Sequence, residues 1–386
     1  MSGSSTNKFT KDELAKMWER SPERQQNVCA SKILEAINLT DGDIAICFSG
    51  GKDSSYLLYR FCQIISQIEK YKDKKITVLF ANTTNETAAM RKHIVNFIPF
   101  LEQKFGIHID LQETRPKNKQ TWVDVMRREG IPFPTKFVAG SVRKIKKELI
   151  RLHIDIRDIE QYCVSTVEAR DTLRQMGFND SAVYYLTGWS CQTQRFSNRF
   201  KLPKQWFPLL WEECPVNVTE KCCIILKEQP LNLLNYPNMM TGEMAEESTY
   251  REVNYLRHGC NAVFADGTVR SKPMGSMTEQ GVLYGIRHYN IPICEDYGNV
   301  VCEDGRFKCT GCSRTGCKLC GFGAKFDPKR FVRLQETEPA TVKFAFKPIA
   351  EGGLGYKELI EFSNKYCGTK IELPDLSLIS TVNNES

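Results

Sequence analysis

Ile44-Ala45-Ile46-Cys47-Phe48-Ser49-Gly50-Gly51-Lys52-Asp53-Ser54-Ser55 decides how this chain is read. Five small or apolar residues run into a serine and two adjacent glycines, and a segment apolar on most faces, Tyr56 to Ile68, follows. A short apolar run, a glycine turn and a longer apolar segment read as a buried strand, a tight turn and a helix. Paired glycines let the backbone turn sharply, with N–H groups pointing inward and no Cβ in the way. The N-terminus of the helix behind them carries about half a positive charge. Together these features predict a site for a phosphate or pyrophosphate.

Outward from this stretch the pattern repeats. Ile76–Ala81 reads as a second buried strand ended by Asn82-Thr83-Thr84-Asn85-Glu86, a helix starts near Glu86 and breaks near Pro99, and Ile107–Leu111 reads as a third strand. Strand, helix, strand, helix, strand implies an α/β fold with a parallel, doubly wound sheet and right-handed crossovers. Ligands of such sheets bind beyond the carboxyl ends of the strands. That places Ser49–Ser54 and Asn82–Glu86 side by side at one rim.

Before the loop, Thr10 with Glu13 forms a capping box, and Ser21-Pro22 opens a helix running to about Ile37. After it come a short helix at Trp122–Glu129, an extended break at Ile131-Pro132-Phe133-Pro134 and a helix from Val142 to about Leu152. Tyr184–Gly188 reads as a further strand end at the same rim, and Gln192–Lys204, with Arg195, Arg199, Lys201 and Lys204, as a basic loop over the site. Short cysteine-bearing pieces dominate from Trp211 to Gly323, and the tail carries one helix, Tyr356–Tyr366. The expected division is an N-terminal helical extension (1–40), a nucleotide-binding domain (41–210), a cysteine-rich metal-binding region (211–330) and a C-terminal tail (331–386), with unstructured ends.

The 386 residues suffice for two domains or one large domain with an appendage, and 41% hydrophobic and 26% charged content is ordinary for a globular chain. There is no apolar run of about eighteen residues, and the N-terminus lacks the apolar stretch of a signal peptide, so a cytoplasmic protein without membrane contact is expected. A net charge of +7 permits anionic ligands. The basic clusters at Arg143–Lys147 and Lys70–Lys75 read as solvated helix faces, the first also able to steer a phosphate or a tRNA. Sixteen cysteines in a reducing compartment point to metal rather than disulfides. Scattered single ones such as Cys29, Cys47, Cys62, Cys163, Cys191 and Cys367 read as small buried hydrophobes. None of the five histidines pairs with a cysteine or carboxylate at ligand spacing.

Four cysteines cluster as Cys309-x2-Cys312-x4-Cys317-x2-Cys320. Pairs two residues apart can both reach one metal, and soft thiolates select zinc or an iron–sulfur cluster over magnesium or calcium. Upstream stand the tandem Cys222-Cys223 and, in His258-Gly259-Cys260, a further candidate, Cys260. Two ligand sets therefore compete. The clustered four, Cys309, Cys312, Cys317 and Cys320, would close a zinc knuckle, whereas Cys222, Cys223, Cys317 and Cys320 would hold a [4Fe-4S] cluster, provided a helix or bend aims the tandem pair together.

Ser49-Gly50-Gly51-Lys52-Asp53-Ser54 matches the SGG-x-D-S signature of the PP-loop ATP pyrophosphatases and departs from a Walker A loop, in which serine or threonine follows the lysine. Over about residues 40–366 the chain resembles the phosphoadenosine phosphosulfate (PAPS) reductase family of that superfamily. Phe80-Ala-Asn-Thr-Thr-Asn-Glu86 is similar to the family's F-x-D-T-G-x-E, keeping Thr83 and Glu86, with Asn82 for the aspartate and Thr84 for the glycine. Gly242 to Arg251 resembles its G-x4-E-S-x2-R segment, and Lys272-Pro273 with Met277-Thr278-Glu279-Gln280 its next landmark. The tandem cysteine plus distant Cys-x2-Cys resembles the cluster ligands of assimilatory adenylyl-sulfate reductases. The family's catalytic tail, Glu-Cys-Gly-x-His, is reduced here to Cys367-Gly368.

The resemblance implies an adenine nucleotide, ATP or adenylyl sulfate, bound by Ser49, Gly50, Gly51, Asp53, Ser54, Thr83 and Glu86. Asp53 would orient Mg²⁺, Lys52 would add charge from a side chain free to face solvent, and Arg251 is a second anion contact or a structural partner of Glu247. The leading expectation is ATP-dependent adenylation coupled to sulfur transfer at an iron–sulfur centre, with a sulfur-donor protein or thioredoxin as partner and nucleic acid as a candidate substrate. The alternatives are an adenylyl-sulfate reductase using another thiol and a non-enzymatic zinc-knuckle binder of nucleic acid gripping it through Gln192–Lys204. A homo-oligomer is expected.

Overall fold

All three apolar runs become parallel strands of one sheet, Ala45–Cys47 (β1), Ile76–Ala81 (β2) and Ile109–Thr114 (β3). In this computed structural model, which describes residues 7–379, the sheet is completed by Met239–Met240 (β4), Asn261–Val263 (β5) and Val269–Ser271 (β6). The order is β3-β2-β1-β4-β6-β5, parallel throughout except for β5, which runs antiparallel to β6 at one edge. From β1 the chain builds first toward β2 and β3 and later, on the other side, toward β4. The crevice at the carboxyl end of β1 is therefore a topological switch point, the place where such sheets bind ligands.

Helices cover both faces, so the central strands are continuous apolar runs rather than alternating ones. Ile46 and Val78 are fully buried against Tyr56, Leu57 and Phe61 of the helix Lys52–Ile65 and Phe97 of the helix Ala88–Phe105. The capping box at Thr10 and Glu13 and the Pro22 start form as expected, giving helices Lys11–Trp18 and Pro22–Leu39.

Two local expectations are corrected. The helix Ala88–Phe105 does not break at Pro99. A proline inside a helix forfeits the bond to the carbonyl four residues back, but Val95 is 68% exposed, so water can satisfy its carbonyl while Phe97, Ile98 and Leu101 stay buried on the inner face. Tyr184–Gly188 is the end of a helix, Asp180–Thr187, not a strand. Asn179 caps it by accepting from the Ala182 amide at 2.9 Å, and Gly188 ends it in the left-handed conformation.

Along the sequence the chain divides into two interleaved units rather than consecutive segments. Unit 1 comprises the chain to Arg115 together with Gln229–Gly316, and holds the sheet. Unit 2 comprises Pro116–Glu228 and the chain from Cys317 onward. It is mainly helical, with Trp122–Glu129, Lys136–Leu152, Asp180–Thr187 and Tyr356–Tyr366 around a core that includes Phe133, Ile145, Leu186, Phe331 and Tyr356. The basic segment Gln192–Lys204 belongs to unit 2, where Arg195–Phe196 pairs with Trp189–Ser190 as a small hairpin. Among the described residues no helix is long and apolar enough to cross a membrane. The expected unstructured ends lie largely outside the described residues.

His93 sits in the core of unit 1, its Nε2 2.8 Å from Ser55 Oγ and its ring against Phe48 and Phe97. Burial pushes its pKa down to about 4. The unfolded chain then takes up a proton near the ordinary histidine value while the folded state does not, so stability is full above about pH 6.5 and falls as the pH drops toward 4. Between pH 7 and pH 5 this group is expected to cost about 2 kcal/mol. Urea unfolding at the two pH values checks it: His93→Gln, which keeps a partner for Ser55, is expected to lose that part of the pH dependence.

Candidate active site

At the end of β1 the backbone of Gly50 lies at φ +75°, pressed onto the helix that follows β2. A Cβ there would collide with Met90 and stand 2.9 Å from Ile94 Cγ1. Only glycine fits both the conformation and the space. Gly51 is the N-cap of Lys52–Ile65 and contributes no side-chain cap, so apart from the Lys52 amide, which Tyr297 takes, the first-turn amides keep their donor capacity for an anion. Ser54 Oγ braces the turn, accepting from the Ser49 amide at 3.2 Å and donating to the Gly51 carbonyl at 2.9 Å. Gly242, just past β4, lets that strand's end approach closely: a Cβ on it would lie 3.3 Å from the Asp53 carbonyl oxygen.

Lys52 does not face solvent. It is 3% exposed, with Nζ 3.3 Å from Asp53 Oδ1 and 3.3 Å from Glu279 Oε1. Burial works against its charge, but Asp53, Tyr297 and Glu279 outweigh it and hold the pKa above the ordinary lysine value. The Lys52 amide donates to the Tyr297 hydroxyl at 3.2 Å, which is 2.7 Å from Thr315 Oγ1. Tyr297, Thr315 and Glu279 were not expected to serve the loop, because they come from distant parts of the sequence with no local signal linking them to it.

At the end of β2, Thr83 donates both its amide (2.9 Å) and its hydroxyl (2.5 Å) to Glu86 Oε1. Thr84, standing where the resembled family has glycine, keeps the left-handed backbone at φ +61° and ties its hydroxyl to the Thr83 carbonyl at 2.6 Å. Asn82 donates to Glu113 at 2.9 Å. Four buried polar atoms at the ends of β1, β2 and β4 make no hydrogen bond among the described residues: Asp53 Oδ1, Asn85 Oδ1, Glu86 Oε2 and Thr241 Oγ1. Asp53 Oδ1 has Lys52 at ion-pair distance without hydrogen-bond geometry. Buried polar atoms rarely go unpaired, and a group of them at a switch point marks where a polar ligand or ion would be received.

Arg251, on the helix Thr249–His258, pairs with Glu247, which also takes Arg314 at 2.6 Å. Burial and the nearby Arg314 hold the Arg251 pKa below its ordinary value, against the pull of Glu243 and Asp53. The structural pairing with Glu247 is thus present, and Asp53 is close enough for its charge to be felt. Cys309 lies in the same electrostatic neighbourhood: burial raises its pKa, Lys52 lowers it, and Glu279 and Asp53 raise it.

A second group of candidate residues, four cysteines, belongs to unit 2. Cys222 and Cys223 end a helical turn, Lys221–Cys223, that continues into a π-helical turn, Ile224–Glu228. Such π-turns concentrate at functional sites. The tandem pair thus stands on a helical bend and not on a strand, where adjacent side chains would alternate. Cys317 and Cys320 flank a tight turn closed by the Cys320 amide on the Cys317 carbonyl at 3.0 Å. The four thiols feel one another's charge. A hydrogen bond from Cys222 holds the Cys223 pKa below the ordinary thiol value against the cost of burial, helped by Lys136 and Lys227. Cys222 is pushed up by Cys223, burial, Cys320 and Cys317. Burial and Cys317 push Cys320 up to about 11, with Arg330 opposing. Lys227, one helical turn past Cys223, is held charged by Cys317 above all, and by Cys223 and Cys320. Arg330 donates to the Cys317 carbonyl at 3.1 Å and leaves its buried Nε unpaired. The donor set is therefore four soft sulfurs with three cations around them, which fits a polynuclear anionic thiolate cluster. Among the described residues no three His, Cys, Asp or Glu side chains stand close enough to close on a single ion.

Of the four cysteines clustered in sequence, Cys309 and Cys312 belong to unit 1 and Cys317 and Cys320 to unit 2. Cys260 is buried in unit 1 beside Leu14, Tyr255 and Leu256. Cys367 caps the end of Tyr356–Tyr366, where burial pushes its pKa up to about 12, so it is a protonated, unreactive thiol at neutral pH.

A mostly parallel α/β sheet with a glycine turn and helix N-terminus at its switch point fits the PP-loop, HUP-like class of folds. No family model and no curated protein matches the chain. Among solved structures the chain is similar to a phosphoadenylyl-sulfate (PAPS) reductase from Candida auris in phosphate complex, at 12% identity over 75% of this chain and 92% of that one, with a TM-score of 0.31. Gly50→Ala is expected to destabilise the protein by about 2 kcal/mol through its positive φ and the collision with Met90 and Ile94. The urea midpoint measures it, and an unchanged midpoint would show that the loop does not depend on this close approach.

Proposed function

We propose that this protein is an ATP-dependent adenylating enzyme whose phosphate site is Ser49–Ser54, with a second, thiolate-held centre in unit 2. The observation carrying this reading is the set of buried oxygens without a hydrogen bond, on Asp53, Asn85, Glu86 and Thr241, at the strand ends beside a helix start with no side-chain cap. The first-turn amides and the Ser49 and Ser54 hydroxyls would hold the β- and γ-phosphates, and Thr83 and Glu86 would line the nucleoside side. The Asp53 carboxylate, whose Oδ1 makes no hydrogen bond and faces only the Lys52 ammonium, suits Mg²⁺, which would neutralise charge on the departing pyrophosphate. Lys52, locked by Asp53 and Glu279, would offer the phosphates a fixed cation, and Arg251, which feels the charge of Asp53, would offer another. A substrate nucleophile attacking the α-phosphorus would break the α–β phosphoanhydride bond, yielding adenylated substrate and pyrophosphate. A sulfur nucleophile from a donor partner would then displace AMP.

Cys222, Cys223, Cys317 and Cys320 are the ligands we assign to a [4Fe-4S] cluster, with Lys227, Lys136 and Arg330 offsetting its negative charge. Such a cluster would supply sulfur-binding and redox chemistry. The reductase alternative needs an attacking thiol, and Cys367, buried and protonated, does not favour it.

Two measurements test this. ATP with Mg²⁺ is expected to raise the melting temperature by several degrees, as ligand in large excess over Kd stabilises by about 2.7 kcal/mol. Asp53→Asn is expected to lose most of that shift, and a wild-type protein that neither shifts nor forms AMP and pyrophosphate with any candidate substrate would contradict the reading. Protein purified without oxygen is expected to be brown, with about four irons per chain. Cys223→Ser is expected to lose most of the iron, and colourless protein carrying one zinc would overturn the ligand assignment.

A further inference from the structure

The charge of this protein is divided unevenly. Unit 1 carries 24 Lys and Arg against 24 Asp and Glu, while unit 2 carries 29 against 22, so the entire net +7 resides in unit 2. Within unit 2, four aromatic rings close into a ring of contacts. Tyr184 stacks on Phe200 at 6.1 Å and 30°, Phe200 meets Phe137 at 6.4 Å, Phe137 meets Tyr185 at 6.0 Å, and Tyr185 meets Tyr184 at 5.4 Å. Phe137 and Tyr185 rest against the core, but Tyr184 and Phe200 are not part of it, and Phe200 is 36% exposed. Core packing explains the first pair and leaves the second as a stacked aromatic pair held at the surface.

Cations accompany the four rings. Lys144 Nζ lies 5.1 Å from the Tyr185 ring centre and donates to its hydroxyl at 3.1 Å, and exposed Lys147 follows on the same helix. Arg199 lies 5.5 Å from the Phe200 ring centre. Arg195 is exposed on the adjoining hairpin, and neither it nor Lys201 takes a carboxylate partner among the described residues. Burial and the neighbouring Lys204 hold Lys201 below its ordinary pKa, against the pull of Cys163. Rings offered to flat faces, with positive charge beside them, are the composition that binds the bases and backbone of an unpaired strand. A duplex already has its bases stacked and gives such rings nothing to cover.

We infer that this surface of unit 2 binds single-stranded nucleic acid, with bases stacking on Phe200 and Tyr184 and phosphates meeting Lys144, Lys147, Arg195 and Lys201. The inference uses no residue of the phosphate loop or the cysteine centre and stands whether or not ATP binds there.

The test is fluorescence anisotropy of a short labelled single-stranded oligonucleotide with the full-length protein, without ATP, across a salt series. Saturable binding that weakens with salt is expected. Phe200→Ala is expected to weaken it roughly tenfold at unchanged salt slope, since stacking is insensitive to salt. Arg195→Ala with Lys201→Ala is expected to flatten the log–log slope by about 0.7 for each cation removed. Circular dichroism confirms that each variant is folded. Absence of saturable binding at low salt, equal binding of a duplex of the same length, unchanged affinity in both folded variants, or equally tight binding of a polyglutamate peptide would each overturn the inference, the last pointing to an acidic protein segment instead.

Discussion

The close approach of Gly50 to the helix that follows β2 is the contact on which unit 1 depends. By removing a Cβ from the end of β1, it lets that helix, the strand β2 and the turn into Lys52–Ile65 share one small volume. The turn then aims a helix start across the switch point, and the ends of β2 and β4 bring Glu86, Asn85 and Thr241 to the same rim. Nothing in this arrangement requires an unusual residue except at the glycines. The chemistry comes from what the backbone has been brought to face.

Burying a lysine at such a place is costly unless its charge is matched. Lys52 is matched by Asp53 and Glu279, so its charge is held in one place and not carried on a mobile side chain. Tyr297 meanwhile holds the Lys52 amide through its hydroxyl, and would have to release or share that amide if a phosphate approached. The cysteine centre we propose would follow the opposite logic: a thiolate-held cluster would be anionic, and Lys227, Lys136 and Arg330 would offset it.

The loop, its flanking strand and helix, and β2 were legible because an apolar run, a glycine pair and a second apolar run leave few other conformations. Helices at Trp122–Glu129 and Tyr356–Tyr366 were legible to the residue from their periodicity. β4 was not, since two residues, Met239–Met240, carry no pattern and become a strand only by pairing with β1 and β6. Tyr184–Gly188 misled because aromatic residues suit strands as well as helices, although Asn179 and Gly188 already spelled a helix's two caps. The burial of Lys52 was invisible, as its partners Glu279 and Tyr297 come from far along the chain. Lys227 could have been found, standing four residues after Cys223 where a helical turn returns it to the same side.

A crystal of this protein soaked with a non-hydrolysable ATP analogue and Mg²⁺ puts the central claim to the most direct trial. The β- and γ-phosphates are expected on the amides of Gly51 to Ser54, with the ion at Asp53 and the Lys52 amide no longer bound to Tyr297 alone. Density for the nucleotide elsewhere, or a loop still closed by Tyr297 and empty of phosphate at saturating analogue, would contradict it.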